Sequence, residues 1–237
     1  MAPPSPRPWT VLPHGPLQKI EDNLWTVDGT LPRGRMNRRM TVVKRSDGRL
    51  VFHNAVPLQE MDMKALEAWG EPGYLLVPNG FHRLDIHAFK QRYPKMKLLC
   101  PAPQDARVRQ VVPVDGHFDA LSPDPAVRAE VLDGSKVGEA VFVVTSHGRV
   151  SLLFGDTLMN IPRQPGFDMF IMRLLGSVGD LRVTLIARLV MVGDKAALRR
   201  HLEKLSALPG LERLIVSHGD DVTQNAATAL RAACAKL

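Results

Sequence analysis

Cysteine is close to absent from this chain of 237 residues: Cys100 and Cys234 stand far apart and form no CxxC pair. That excludes a disulfide-stapled scaffold and a thiolate zinc module, and leaves two ordinary reduced thiols as the expectation. Aromatic residues make up only 5%, and no RNA-binding signature or zinc-finger spacing is present. No apolar run approaches the roughly 18–20 residues that a membrane-crossing helix needs. The opening MAPPSPRPW is proline-rich and lacks the apolar stretch of a secretory signal. Residues 1–18 therefore read as a flexible tail ahead of a single domain over 19–237. A cytoplasmic protein without membrane association is the expectation from these absences.

What is present is ordinary for a globular domain. Apolar content of 45% and charged content of 23% suffice for one sizeable core. The net charge of +7 is partly concentrated in PRGRMNRRMTVVKR, residues 32–45. This segment reads either as an electrostatic footprint for nucleic acid or as a solvated hairpin.

Strand-like runs come first: IEDNLWTVDG (20–29), MTVVKR (40–45) and RLVFHNAV (49–56), the last two joined by Ser46-Asp47-Gly48. DMKALEAWG (62–70) has a helical pattern with Asp62 as its cap and Gly70 as its stop. GYLLVPN, LLCP (98–101) and VVPV (111–114) are short apolar runs of strand type, and HRLDIHAFKQRY is helical until Pro94. EAVFVVTSHGRVSLLFGD (139–156) is the strongest hairpin, turning at Ser146-His147-Gly148-Arg149. PGFDMFIMRLLGS (165–177) is rich in Met, LRVTLIARLVMVG is ambiguous, and DKAALRRHLEKLSAL (194–208) is a helix capped by Asp194. LERLIVSHG reads as a strand and the last 17 residues as a helix. This order suits an αββα sandwich or a plain α/β sheet.

Three residues stand directly after apolar runs: His82, Asp156 in Phe-Gly-Asp and His218 in Ser-His-Gly-Asp. Tyr93-Pro94 ends the helix that begins near His82. Together these fragments resemble the metallo-β-lactamase fold superfamily. Its signature H-x-H-x-D-H lies between a strand and a helix that runs into an aromatic-Pro pair. Here Val77, Asn79 and Phe81 stand at the first His, second His and Asp of that signature, and His82 at its final His. His53 stands where an upstream strand normally carries an Asp, and the middle His has no counterpart near Asp133 and Ser135. The chain looks most like a divergent group of domains of unknown function that keep the Asn-x-x-His and His-Gly remnants.

The resemblance implies an αββα sandwich over nearly the whole chain. It also implies one weakly held zinc or iron ion on His82, Asp156 and His218, or none, since the ligands of the first of two metals are lost. Two imidazoles and a carboxylate form a three-ligand set with open positions for water. Asp85, three residues after His82, could orient that imidazole or serve as a solvated first-turn acid. Residues 165–177 would cover the site or form a core or subunit contact. Three functions stay open. One is a hydrolase of an ester- or thioester-like small molecule, with His53 as the candidate base. The second is a non-catalytic domain binding a ligand or partner, and the third a nucleic-acid-binding member.

Overall fold

A computed structural model describes residues 7–33, 36–163, 165–166, 170, 173–174 and 176–237. Two sheets carry the fold. The first runs β1 (Gln18–Glu21), β2 (Leu24–Thr30), β3 (Asn37–Lys44), β4 (Arg49–His53), β5 (Glu71–Leu76), β6 (Lys97–Cys100), β7 (Gly116–His117), in that spatial order. Its β1–β4 half is an antiparallel meander, and β4 to β7 are parallel. The second sheet has the order β11 (Leu211–Val216), β10 (Arg149–Phe154), β9 (Ala140–Ser146), β8 (Val127–Val131), with β10 and β11 parallel.

Strict alternation along these strands builds three apolar layers, because successive side chains point to opposite faces. Val43, Val51, Leu76, Leu99, Phe142, Val144, Leu153 and Ile215 fill the space between the sheets. The alternate residues Val42, Phe52, Leu75 and Leu98 pack outward under α1 (Glu60–Trp69) and α2 (Ile86–Arg92). On the other sheet, Val143, Leu152, Phe154 and Leu214 meet Leu198, Leu202 and Leu230. Those leucines lie on α5 (Lys195–Ser206) and α6 (Ala226–Ala235). Two short helices complete the described set, α3 (Asp105–Val108) and α4 (Leu185–Val190). The result is the αββα sandwich.

Several local expectations need correction. The run 20–29 is two strands, broken by a turn at Asp22-Asn23. Helix α1 starts earlier than expected, with Gln59 and not Asp62 at its cap position. VVPV is not a strand: Val112 and Val114 are buried, but Pro113 lacks the N–H that a ladder needs. The ambiguous 181–193 stretch contains α4, whose cap Thr184 accepts from the Ala187 N–H. Of the stretch read as a tail, residues 1–6 lie outside the described residues. From Arg7 onward it packs, with the Trp9 ring 5.0 Å from Phe89 and its indole N–H donating to the Leu58 carbonyl. Of the Met-rich stretch 165–177, residues 167–169, 171, 172 and 175 lie outside the described residues.

The basic segment 32–45 turns much of its charge inward. Arg38, Arg39 and Arg45 are buried and ion-paired to Asp85, to Asp28 and Asp221, and to Asp47 and Asp124. No helix among the described residues is long and apolar enough to cross a membrane.

Candidate metal centre

The strand directions decide where chemistry collects. Strands β4, β5, β10 and β11 all end at one edge of the sandwich, and β3 and β9, antiparallel to their neighbours, begin there. Residues just beyond those ends therefore meet although they lie far apart in sequence. His82 comes from the loop after β5, Asp156 from the loop after β10, and His218 from the loop after β11. They sit on the wall of a cavity of about 450 Å³.

His82 Nε2 lies 3.0 Å and His218 Nε2 3.2 Å from the same oxygen, Asp156 Oδ1. The other nitrogen of each ring is tied back. His218 Nδ1 donates to the Asn37 carbonyl at 2.6 Å, an acceptor only, so this nitrogen carries the proton. His82 Nδ1 donates to Asn54 Oδ1 at 3.0 Å, and that amide is oriented because its Nδ2 donates to the Arg39 carbonyl at 2.8 Å. Such outer hydrogen bonds fix the tautomer and aim of a metal-binding imidazole. With both Nδ1 atoms protonated, two Nε2 lone pairs face one carboxylate oxygen. That arrangement is repulsive unless extra protons or a cation lie between them.

The three donor atoms all fall within 4.8 Å of one another. Zinc ligands about 2.0–2.1 Å from a tetrahedral ion stand about 3.3 Å apart, close to the contacts seen here. The donor set is also that of a two-His, one-carboxylate iron site. The residues present therefore fit one ion.

Protonated imidazoles are the alternative way to relieve this repulsion. Burial resists ionisation of Asp156, but the charges and hydrogen bonds of His82 and His218 overcome it and hold its carboxyl well below the usual range. Burial alone would lower the His218 pKa; the bond to Asp156 and its charge raise it instead.

Asp156 is positioned by a residue that no motif announces. Glu139, fully buried just before β9, accepts from the Asp156 N–H at 2.9 Å and the Thr157 N–H at 2.9 Å. Asn79 Nδ2 bridges Glu139 Oε2 and Asp156 Oδ2, 3.0 Å from each. Burial and the nearby Asp156 charge push the Glu139 carboxyl up. This network explains the glycine of Phe-Gly-Asp: a Cβ on Gly155 would stand 2.7 Å from Glu139 Oε2 and 2.9 Å from Pro78 Cβ. Gly219, after His218, has φ +94°, and a Cβ there would meet the Asn160 carbonyl oxygen at 2.2 Å.

Asp85 neither orients His82 nor faces water. It is buried against Arg38, with Arg7 3.9 Å away, and Asn54 takes the orienting role instead. His53 ends β4 fully buried beside Phe142, with Nε2 unpartnered, and it does not line the cavity. Burial first, then the charge of His82, press its pKa down to about 3, which makes it a very weak base. Phe81, half-exposed, lines the cavity mouth with the Arg107 guanidinium 4.4 Å over its ring.

No family model and no curated protein sequence matches this chain. Solved structures do. The metallo-β-lactamase FIM-1 from Pseudomonas aeruginosa, in its mono-zinc form, superposes with a TM-score of 0.62 at 11% identity, over 95% of this chain and 96% of that one. A metallo-β-lactamase from Erythrobacter litoralis, with β-mercaptoethanol in its active site, gives 0.61 at 12% identity, over 93% and 96%. The DIM-1 metallo-β-lactamase exposed to ceftazidime gives 0.63 at 11% identity, over 96% and 99%. Likeness at such identity speaks for the fold: this chain has the metallo-β-lactamase fold.

Proposed function

We propose that this protein is a hydrolase of an ester- or thioester-like small molecule that works with a single zinc or iron ion held by His82, Asp156 and His218. The observation that carries the reading is the convergence of two Nε2 atoms on Asp156 Oδ1 while each Nδ1 is tied to its own acceptor. A structural neighbour described with one zinc supports a one-ion site in this fold. When bound, such an ion supplies Lewis acidity and a water acidic enough to be deprotonated near neutral pH.

The chain's own residues do the rest. Asn54 and Asn37 aim the imidazoles, and Asn79 holds Asp156 Oδ2 so that Oδ1 faces the histidines. Asp156 is the only carboxylate lining the cavity among the described residues, and it is engaged by both imidazoles. No second carboxylate there is free to take a proton, and His53 is too weak a base and too deeply buried. That favours substrates with good leaving groups.

A non-catalytic ligand-binding domain is the second reading. It draws support from Val77 and Phe81, which are apolar at signature positions, and from Asn79, whose amide joins two carboxylates. Metal analysis of dialysed, untagged protein beside the His82→Ala, His218→Ala double variant separates the two. About one equivalent in the wild type, lost in the variant, supports the metal reading. Less than about a tenth of an equivalent after incubation with either ion sinks it.

A further inference from the structure

We infer that the cavity beside His82, Asp156 and His218 takes an acyl compound with a straight apolar chain, laid along α4. This rests on the reading above for the reacting end of the molecule, but the chain-binding part stands on separate observations.

The cavity is polar at one end only. Away from the two histidines and Asp156, its wall is formed largely by Leu31, Phe81, Leu84, Met159, Ile186 and Val190. Few polar side chains interrupt this wall, and most of their polar atoms are engaged. Asn54 serves His82 and the Arg39 carbonyl, and Thr184 Oγ1 accepts from the Ala187 N–H. Arg38 is buried, donates from Nε to the Thr30 carbonyl and pairs through Nη1 with Asp85, while its Nη2 has no partner. An amphipathic molecule matches this asymmetry, with its carbonyl at the polar end and its chain along the apolar wall.

Helix α4 carries the second observation. Surface helices bury their large aliphatics and expose their polar residues. Here the arrangement is inverted: Leu185, Ile186, Leu189 and Val190 are 47%, 51%, 68% and 46% exposed, and only Ala187 is buried. Ile186 and Val190 belong to the cavity wall as well. The Ile186 and Val190 side of this exposed apolar face is thus the rim of the cavity, which reaches the candidate metal centre. A ligand chain would desolvate that rim.

The test uses full-length protein stripped with chelator, so that it depends on neither bound metal nor turnover. Straight-chain primary alcohols from butanol to decanol are titrated calorimetrically. Affinity should rise about fourfold per methylene, until the chain outgrows the cavity. Ile186→Asp and Val190→Asp, at half-exposed positions, should keep the circular dichroism spectrum and flatten that chain-length dependence. Leu189→Asp, on the same helix but outside the cavity wall, should retain it. Affinity independent of chain length overturns the proposal. An equal loss in Leu189→Asp overturns it too, because the outer face of α4 would then be the binding surface. A wild-type dimer in size-exclusion chromatography that Leu189→Asp dissociates assigns the face to a second copy and also refutes it. A chain-length gain in protein that takes up no metal would leave this inference standing and sink the hydrolase reading alone.

Discussion

Glu139 is the residue whose replacement tests the architecture of the site most directly. Its carboxylate is fully buried and receives the Asp156 N–H, the Thr157 N–H and Asn79 Nδ2. Glu139→Ala leaves the Asp156 and Thr157 N–H groups without partners and takes one of two acceptors from Asn79 Nδ2, at about 1–3 kcal/mol for each lost bond, and it opens a void beside Gly155. Against this stands the repulsion between Glu139 and Asp156, which helps to push the Glu139 carboxyl up and which the substitution removes. The net expectation is a loss of about 3–5 kcal/mol. Glu139→Gln can place its oxygen where Oε2 now accepts two bonds, and it leaves only the Thr157 N–H facing an amide. It also relieves the like-charge contact, so the loss should be about 1–2 kcal/mol. Urea unfolding followed by circular dichroism, with unchanged slopes, measures both values. An Ala variant within about 0.5 kcal/mol of wild type, in the range of neutral surface changes, would refute the idea that this carboxylate holds the Asp156 loop. So would a Gln variant less stable than Ala.

Other perturbations have equally definite outcomes. Asn54→Ala removes the acceptor that aims His82 and should weaken zinc binding about 10–100-fold, read by competition with a chelator; unchanged affinity would mean that the imidazole needs no such support. Asp85→Asn strips a buried charge from Arg38 and should cost about 3–5 kcal/mol, whereas the Arg38→Met, Asp85→Leu pair should recover most of it. Glu21 joins the sheets at the edge opposite the site by accepting from Arg149 and Arg213. Burial opposes its ionisation, but those guanidinium groups win and hold its pKa below the ordinary 4.5. A depressed acid stabilises the fold above its unfolded pKa and loses that contribution as pH falls through the folded one. Glu21→Gln should therefore flatten the decline in stability below about pH 4.5; identical acid-side slopes for the two proteins would remove this account.

Much of the frame was legible because it rests on local periodicity. Alternation in Val141–Val144 and Leu152–Phe154 marks strands covered on both faces, and Ser146-His147-Gly148-Arg149 forms its turn with positive φ at His147 and Gly148. Asp194 caps α5 as its position suggests. His82, Asp156 and His218 could be picked out because each follows an apolar run. Asn37, Asn54 and Glu139 could not. They stand at strand ends without a motif, and their roles come from register across the sheets: Asn37 reaches His218 over 181 positions. Asp85 misled for the same reason. Its partner Arg38 lies 47 positions earlier, so a spacing argument sees only the neighbouring helix turn.

The supporting groups bear on whether the three-residue cluster is a relic. A buried His-Asp-His set kept for stability alone needs only compensated charge, and either ring nitrogen would serve. Here the backbone spends a left-handed residue to satisfy one ring: Asn54, at φ +66°, turns the end of β4 so that its amide spans His82 and the Arg39 carbonyl. The second ring is held by the first residue of β3, whose side chain also accepts from the Gly219 N–H at 2.7 Å and so fixes the loop that carries His218. Both devices act on Nδ1 and leave Nε2 pointing at the same oxygen, beside a cavity. The first half of the two-metal signature, by contrast, is replaced by groups that satisfy one another: Asn79 closes onto Glu139 and Asp156. Retained aim on one side and a self-sufficient hydrogen-bonded plug on the other are what a one-ion site requires. Asn79→His tests this division. It should not create a second site, because Val77 supplies no ligand, and it should destabilise the protein by taking the Asn79 amide from Asp156 Oδ2 and one of its two donors from Glu139 Oε2. Two equivalents of zinc bound to a fully folded variant would overturn the division.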